Sequence, residues 1–416
     1  MGKSKKNKKN QKIKSFKVNK KFIVILAAVV VLAGIALGII ELVKSAAAKR
    51  LDVAFYNCQE QVVEALKAKI QAEYNGKIVF EVIEAEKLNE KTASKYDLFF
   101  AENGSIVQKL ADGARPVPSA VNSLIPTNLL SADGKILPVL LDHWELGYYE
   151  KGMERLELDF PWSLDDLESM LEAMKKEVFI PFYCSGSDNN TLLAFISVLI
   201  ESYGGDTAYN QFCSKLAEAS TLADIIDVEL TGSDKSAFTL HTILDRLIDW
   251  QDKELIYSKW TSAKNGDLSA LAGQRQIGVF FTSLSNHRKL PYEVVSGYNV
   301  ERFPVVQVNS SHGLIAPSVV CVNLSSTGRF DSVVTSLVGE DFQKSFSAEF
   351  KLAPVNSRCQ AYDRQSDDVR FLAAACPAGA LPPLYSAVYQ NMDDAKAKFA
   401  DEIRNYLRSG RLNSDK

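Results

Sequence analysis

The amino-terminal 43 residues constrain this chain more than any other segment, because a basic tail is followed there by an apolar run of bilayer length. Residues 1–21 contain ten lysines and no acidic residue, and residues 22–40 carry no charge. Nineteen residues in a helix span about 29 Å, close to the hydrocarbon thickness of a bilayer. We therefore expect a transmembrane anchor at 22–43 that leaves the basic tail in the cytoplasm and everything after Val43 outside.

A cleaved signal peptide is the alternative interpretation of this segment. Residues 46–48 are three alanines, which offer a small-residue cleavage site. The apolar run exceeds the roughly 7–15 residues of a signal core, and Glu41 and Lys44 flank it as residues do at a membrane edge. These features favour an uncleaved anchor with a linker at 44–50. Both interpretations export the remaining chain to the extracytoplasmic side of the cytoplasmic membrane.

The exported part is acidic and large. Residues 45–416 hold 37 of the 48 basic and 50 of the 51 acidic residues, so their net charge is about −13, against −3 for the whole chain. This balance argues against nucleic acid or an anionic membrane surface as a partner. A length of about 370 residues exceeds the usual size of one domain, so we expect two lobes.

The six cysteines are scattered along the exported part, where disulfides can form. Cys321 lies in the strand-like run SVVCVN and is expected to be a buried free thiol. Cys359 and Cys376 are the pair whose disulfide is the first to test. There is no Cys-x-x-Cys pattern, so we expect neither a structural zinc site nor another cofactor.

Strands alternate with helices after the linker, which predicts βαβ units and a mostly parallel sheet. Residues 51–56, 77–83 and 96–101 are expected strands, and a helix between the first two ends at Asn75-Gly76. Polar residues follow the first and third of these strands. In such sheets, ligands bind beyond the carboxyl ends of the strands.

The remaining pattern continues the alternation. Residues 136–149 form one strand-like run, and Ser163 with Asp166 starts a helix by a capping box. The polar loop 184–190 leads into an apolar helix that Gly204-Gly205 is expected to close. Further strands are expected at 179–183, 276–281 and 318–323, and further helices at 237–251, 267–272, 331–346 and 393–407.

Four segments resemble the family 1 extracellular solute-binding proteins, the sugar-type receptors of ABC importers. Residues 133–149 (DGKILPVLLDHWELGYY) are similar to the family's DGK…LP segment, and 160–167 (FPWSLDDL) to its TWDEL helix start. Residues 270–280 (ALAGQRQIGVF) resemble its GKAAM segment, and 343–356, which end in LAPVN, resemble its GxxPV segment. Each pattern is degenerate alone, but together they span about 51–400 in the family's order.

The resemblance implies an α/β, two-lobed periplasmic-binding-protein type II fold, here preceded by one N-terminal transmembrane helix. Lobe 1 would comprise 51–142 and 316–355, and lobe 2 would comprise 143–315 and 356–416. The implied function is non-catalytic capture of a small-molecule ligand, a carbohydrate foremost, for delivery to an ABC permease. The sequence departs from the family at Thr282–Asn286, where many relatives carry Gly and Trp, and it has a helical anchor instead of a lipidated cysteine.

Carbohydrate sites pair an aromatic face with planar hydrogen-bonding groups that bind hydroxyls. The residues that the resemblance and the strand ends place in the cleft are Tyr56, Asn57, Glu102, Asn103, His143, Trp144, Ser185, Asp188, Asn189, Ser283, Asn286, Ser311 and His312.

Several of these residues have a purely structural interpretation as well. A packing role in the core is as well supported for Trp144 as a role as a stacking platform for the ligand. Asp188-Asn189 can simply cap the following helix. Asn57 can close a turn after its strand. His143 is expected to be a hydrogen-bonding wall residue, since no neighbouring His or Cys supports a metal.

Motifs of common enzymes are absent from the sequence. It contains no Gly-x-Ser-x-Gly, no phosphate-binding Gly-x₄-Gly-Lys-Ser/Thr, no Gly-x-Gly-x-x-Gly and no His-Glu-x-x-His. Two alternatives to a transport receptor stay open: a ligand-sensing or scaffolding ectodomain, and a cell-envelope hydrolase built on a receptor-like fold.

Overall fold

The structure is a computed structural model that describes residues 50–131, 133–232, 236–306, 314–376 and 379–412. Leu51–Lys416 form one compact unit. The expected anchor at 22–43 lies outside the described residues. No helix among the described residues has both the length and the apolar character needed to span a bilayer.

The strands are short and largely buried. Their bounds are β1 Arg50–Tyr56, β2 Lys77–Val82, β3 Leu98–Glu102, β4 Ile136–Leu140, β5 Trp144–Tyr149, β6 Ile180–Tyr183, β7 Leu230–Thr231, β8 Ala237–Phe238, β9 Ile277–Ser283, β10 Tyr298–Arg302, β11 Leu314–Ile315, β12 Val319–Asn323 and β13 Ala380–Leu381.

Helices lie between most of these strands. Their bounds are α1 Glu60–Glu73, α2 Glu90–Ala93, α3 Ser105–Gly113, α4 Glu150–Leu156, α5 Leu164–Met174, α6 Asn189–Leu216, α7 Leu240–Asp252, α8 Asn265–Gly273, α9 Leu284–His287, α10 Tyr292–Val295, α11 Asp331–Ser336, α12 Glu340–Phe350, α13 Arg364–Ala375, α14 Leu384–Ala387 and α15 Asp393–Ser409.

The first sheet has five strands in the order β2-β1-β3-β12-β4. β1 and β3 are parallel, with Phe55 opposite Phe100, whereas β12 runs antiparallel to both β3 and β4. The carboxyl ends of β1, β3 and β4 therefore lie at one edge, together with the start of β12. This edge carries Asn57, Glu102 and Asp142.

The second sheet has four strands in the order β10-β5-β9-β6. β6 and β9 are parallel, and β5 is antiparallel to β9 and β10. Gly147 of β5 lies opposite Phe280, whose ring atoms are 2.4–2.9 Å from where a Cβ would stand, so no larger residue fits there. Ser283 and Trp144 pair at the edge where β9 ends and β5 begins.

Helices cover both faces of the first sheet. Val53 and Phe55 of β1 share a buried cluster with the apolar face of α1, whereas Ala54 and Tyr56 share another with α3. Since successive side chains of a strand point to opposite faces, α1 and α3 lie on opposite sides of the sheet. The second sheet lies in its own large cluster, which includes α5, α6, α7 and α15.

The prediction of one strand-like run at 136–149 is wrong in one respect. The run is interrupted at residues 141–143, and β4 belongs to the first sheet while β5 belongs to the second. Uninterrupted apolar character told us only that the segment is buried, and it could not show that the two halves are buried in different sheets.

Other expectations also need correction. The sheets are mixed and not mostly parallel, since β5 and β12 run against their neighbours. By contrast, the helix end expected at Gly204-Gly205 is present, because Gly205 has a non-helical backbone with φ 73° and ψ −171°, and a second helical stretch of α6 follows it to Leu216. The helix expected at 331–346 is divided into α11 and α12.

The cysteines are free thiols, and all of them lie within the described residues. The buried free thiol expected at Cys321 is confirmed. The disulfide considered between Cys359 and Cys376 is absent from the structure. Burial raises the pKa of the Cys376 thiol to about 12, which keeps it protonated and unreactive near neutral pH.

The capping box of α5 gives a stability prediction. The Ser163 hydroxyl accepts the Asp166 N–H at 3.1 Å, and the Asp166 carboxylate accepts the Ser163 N–H at 3.0 Å. We expect Ser163→Ala to lower the free energy of unfolding by about 1 kcal/mol, because the Asp166 N–H loses its acceptor while the backbone N–H of residue 163 keeps the Asp166 carboxylate. Chemical denaturation measures this, with Ser169→Ala as the control, since Ser169 lies exposed within the same helix. Equal unfolding free energies for the two variants would contradict the assignment.

Candidate functional site

The first sheet has a topological switch point between β1 and β3. The helix that follows β1 packs on one face and the helix that follows β3 packs on the other, so the backbone diverges between these two strand ends. Ligands of open α/β sheets bind in the crevice at such points. Asn57 and Glu102 face each other across this crevice, with Asn57 Nδ2 3.3 Å from Glu102 Oε2.

Asn57 has a left-handed backbone conformation, with φ 49°. Asparagine tolerates this region better than most residues do, and here it turns the chain sharply after β1. The turn interpretation of Asn57 and the site interpretation are therefore compatible, because the same turn presents the side-chain amide at the crevice.

A segment near the carboxyl terminus, residues 384–391, packs on this crevice. The Gln390 side chain donates to the Glu102 carbonyl at 2.8 Å and accepts the Ile106 N–H at 2.9 Å. Gly104 permits the approach, because a Cβ there would lie 2.5 Å from the Ser386 carbonyl oxygen. The Asn391 amide donates to the Leu88 carbonyl at 3.1 Å. This segment thus forms one wall of a site whose opposite wall is the first sheet.

Glu102 has an unusual electrostatic environment. Its side chain is partly exposed, yet the surrounding protein desolvates the carboxyl, and this burial raises its pKa to about 7. The Tyr385 and Ser386 hydroxyls lower the pKa, and the nearby charge of Asp142 raises it. The carboxyl therefore exchanges between its neutral and ionised forms near neutral pH.

Asp142 is a second carboxyl at the same edge. Burial raises its pKa to about 6, against the opposing effects of Ser285 and His143. Its Oδ1 accepts the His143 N–H at 2.8 Å and the Ser285 N–H at 3.1 Å. Asp142 therefore joins the crossing segment to the start of α9 while one side of it faces a cavity.

Three cavities surround this region. The first, which we call the tyrosine cavity, has a volume of about 270 Å³ and is lined by Tyr56, Asn57, Ile83, Ala85, Asn190, Tyr385, Ser386, Tyr389, Gln390, Asn391, Asp393 and Lys396. A second, the basic cavity, measures about 390 Å³ and lies on the α1 side, between Asp142, Arg288 and Lys351.

The third cavity measures about 490 Å³ and lies on the α3 side, near Asn103 and Ser318. No charged residue is among its lining in the described part of the chain. It is the largest of the three, but the side chains that touch Glu102 line the tyrosine cavity. We therefore assign the site to the tyrosine and basic cavities, which flank the Glu102–Asp142 pair.

His143 lies in the crossing segment and does not line any of these three cavities. Its Nε2 is 2.7 Å from Glu145 Oε2, and His287 Nδ1 is 3.1 Å from Glu145 Oε1. Burial alone would raise the pKa of Glu145, but the two imidazole hydrogen bonds outweigh it and hold the pKa below its usual range. The histidine expected to be a wall residue thus belongs to a buried network.

Trp144 packs as a core aromatic. It is 4% exposed, its ring stacks on Phe281 with centroids 5.1 Å apart, and Tyr385 contacts it edge-on at 6.4 Å. Neither ring face is open for a solute in this structure. Tyr385 therefore connects the second sheet, through Trp144, to Glu102 of the first.

The other candidates on the second sheet have mainly structural contacts. Asp188 caps α6 through the Thr191 N–H at 2.7 Å, and Asn189 accepts from Arg404 at 2.7 Å. The Ser283 hydroxyl accepts the Asn286 N–H at 3.3 Å and caps α9. Ser185 is buried, and its hydroxyl has no partner among the described residues.

Two expected site residues, Ser311 and His312, lie outside the described residues. Asn103 lines the third cavity, with its side-chain oxygen 3.3 Å from Gln108 Nε2. The structure therefore brings Tyr56, Asn57 and Glu102 together at the switch point, whereas the other described candidates have structural contacts elsewhere or, like Asn286, lie exposed.

Sequence reasoning missed Asp142 and the 384–391 segment. Asp142 stands in the LLDHW run, where a carboxylate inside an apolar stretch was the available signal. Three tyrosines of the site come from distant parts of the chain, and nothing local in the sequence indicates that Tyr385 and Tyr389 meet Tyr56.

The arrangement suits binding of a polyhydroxylated solute. Tyrosine rings offer apolar faces and hydroxyls, whereas Asn57, Gln390 and the two carboxyls offer donors and acceptors. No group of three or more His, Cys, Asp or Glu residues arranged to hold a metal ion occurs in the described part of the chain.

Several solved structures share this fold. The structure is similar to that of the bacterial solute receptor AcbH, with a TM-score of 0.69 and 10% identity over 87% of this chain and 94% of that one. It is also similar to RafE of Streptococcus pneumoniae, with a TM-score of 0.64 and 12% identity over 87% of this chain and 94% of that one. An open form of the binding protein MsmE of Bacillus subtilis gives a TM-score of 0.61 and 13% identity over 88% of this chain and 98% of that one.

The chain has the mixed α/β fold of the two-lobed solute-binding proteins. AcbH is described as a solute receptor with an exclusive preference for β-D-galactopyranose, and MsmE as a binding protein. No protein-family model matches the sequence, and no curated protein matches it either. At such low identities the likeness establishes the fold alone.

Glu102 yields a pH-dependent stability prediction. Because its folded pKa of about 7 exceeds the usual carboxyl value, the folded state binds more protons between about pH 4.5 and 7, and its stability falls as pH rises through that window. We expect Glu102→Gln to gain about 1–3 kcal/mol relative to the unmodified chain between pH 5 and 8. Denaturation at several pH values measures this gain, and exposed Glu154→Gln is the control. A pH-independent difference would contradict the assignment.

Proposed function

We propose that this protein is a membrane-anchored solute receptor that captures a carbohydrate between its two sheets and delivers it to an ABC permease. The observation that carries the proposal is the switch point between β1 and β3, where Asn57, Glu102 and the tyrosines of the 384–391 segment converge. The Glu102 carboxyl there is desolvated while the Asn57 amide is exposed to an incoming solute, and the cavities of about 270 and 390 Å³ are close to the roughly 300–1,000 Å³ of small-molecule sites.

The ligands of structurally similar proteins support a sugar as the ligand. These proteins include a receptor for β-D-galactopyranose, a sugar transporter protein in complex with stachyose, and a chitin oligosaccharide binding protein. The fold accommodates solutes from monosaccharides to oligosaccharides in these proteins. For this chain, the modest cavity volumes favour a mono- or disaccharide in the closed form.

We further propose that the protein binds without catalysis. The neighbours are binding proteins, and the described carboxyls have structural or hydrogen-bonding roles that need no catalytic interpretation. A sensing ectodomain with the same cleft remains an outcome of the experiments below, as does a hydrolase, which would convert the added sugar.

The proposed lobes are 51–142 with 316–355, and 143–315 with 356–416. The passage of the chain between the sheets at residues 141–143 supports this division, and so does the return of β12 to the first sheet. We propose that the lobes close about these crossings and that a ligand touching both stabilises the closed form. The 384–391 segment would make the contact between lobes.

The proposed anchor at 22–43 would hold the receptor beside its permease. Tethering both proteins in one membrane raises the effective concentration of one near the other. The basic tail at 1–21 supports an orientation with the main domain outside.

The switch-point site predicts the effect of Asn57→Gly. Glycine keeps the left-handed backbone, so this change removes the amide without adding strain. We expect affinity for the best sugar in a panel of galactose, raffinose, stachyose, maltose and chitobiose to fall about 5- to 30-fold, the loss of one or two buried hydrogen bonds. Calorimetry on the full chain in mild detergent measures this change, with Glu157→Gly as the control at another left-handed position. An unchanged affinity would show that the sugar does not bind at the switch point.

The anchor predicts where the protein is found in cells. We expect the full chain to stay in the membrane fraction after an alkaline carbonate wash, and a variant that lacks residues 1–44 to become soluble. N-terminal sequencing of the extracted protein distinguishes an anchor from a signal peptide. A mature terminus near residues 46–48 would show cleavage and contradict the anchor.

A further inference from the structure

The basic cavity has a composition unlike that of the tyrosine cavity. It lies where the first sheet meets the segment after β9, and its lining includes Gln59 before α1, Ser285, Arg288 and Lys289 after β9, and Lys351 after α12. Its volume of about 390 Å³ is within the range of small-molecule sites. Three cationic side chains thus converge on a space large enough for part of a solute.

Arg288 is the residue that points to a ligand. Its side chain is 8% exposed, and its Nη2 donates to the two Asp363 oxygens at 2.8 and 2.7 Å. The Nε–H is buried and has no acceptor among the described residues. A buried charged donor without an acceptor costs free energy, and an acceptor brought by a solute would recover it.

The start of α1 adds to the positive potential of this cavity. α1 has 14 residues, and its N-cap residue Gln59 makes no side-chain capping bond. The first turn of a helix presents free N–H groups and the positive end of the helix dipole, which together favour an anion. Gln59, Gln61 and Val62 of this turn line the cavity.

Two carboxylates also line the cavity and oppose an anion. Asp142 is the buried one, and its Oδ1 is already engaged by the N–H groups of His143 and Ser285. Glu349 is exposed at the rim, where solvent screens its charge. Asp363 already pairs with Arg288, so the groups left to bind an anion are the Arg288 Nε–H, Lys289, Lys351 and the start of α1.

We propose that the basic cavity receives an anionic group, a carboxylate or a phosphate, so that the solute captured by this receptor is an acidic sugar. This inference rests on the proposed function, since it concerns the identity of the carbohydrate. Arg288 binds the anionic group, Lys289 and Lys351 supply further positive charge, and the hydroxyls of the sugar extend toward Asp142 and Glu102.

Matched pairs of neutral and acidic sugars test the proposal on the full chain in mild detergent. The pairs are glucose with glucuronate, galactose with galacturonate, and glucose with glucose 6-phosphate, and inorganic phosphate is tested alone. We expect at least one acidic member to bind ten or more times as tightly as its neutral counterpart in calorimetry. We also expect that preference to shrink at high salt, because the added anion is recognised by charge.

Arg288→Gln should reduce the preference to less than threefold, while Arg155→Gln, an exposed arginine paired with Glu177, should leave it unchanged. Since Arg288→Gln also breaks the Asp363 ion pair, the melting temperature of each ligand-free variant is measured. Lys289→Gln provides a second test at an exposed position, with a two- to fivefold expected loss of affinity for the acidic sugar.

Neutral sugars that bind as tightly as the acidic ones, or an Arg288→Gln variant with undiminished preference, would overturn the acidic ligand and leave the proposed function standing. If no sugar of either kind or of the larger panel binds, both proposals fail. If inorganic phosphate binds as tightly as glucose 6-phosphate, the anion site is supported and its assignment to a sugar is overturned.

Discussion

The buried carboxylate of Asp142 fixes the geometry on which the site depends. It accepts the backbone N–H of His143 in the crossing segment and that of Ser285 at the start of α9, so the end of β4 is tied to the end of β9. The Leu284 N–H donates to the His143 carbonyl at 3.0 Å and strengthens the same junction. Because these bonds join the two sheets at their edges, the polar strand ends of both sheets face a common space.

An ionised carboxylate, that of Glu145, also stabilises this junction. Glu145 of β5 accepts from His143 in the crossing segment and from His287 in α9, and an ionised carboxylate can only accept, so both imidazoles carry the bonding protons. A buried charge of this kind is costly unless its hydrogen bonds are made. Its contribution is therefore directional, since it fixes three elements relative to one another.

The periodicity of the sequence predicted most elements but not their partners. The buried faces of α1 and α5 were predictable because their apolar residues recur at helical spacing, as Val62 and Leu66 do in α1. Leu167 lies on the corresponding face of α5, and a helix buries such a face wherever it packs. The division of 136–149 between two sheets was not predictable, because burial in either sheet demands the same apolar residues. Tyr385 was missed for a related reason: its contact with Glu102 spans most of the chain and leaves no local pattern.

Charge is unevenly distributed around the site, and this bears on how a ligand would close it. The charge of Asp142 raises the pKa of Glu102 at the strand ends, whereas Arg288 and Lys289 lie on the far side of Asp142, in the basic cavity. In the proposed closure both sets of charges would lose solvent, and the Arg288 Nε–H has no acceptor among the described residues. A solute with hydroxyl donors at one end and an anionic group at the other satisfies both sets at once. Its differential affinity for the closed form would follow directly from this separation.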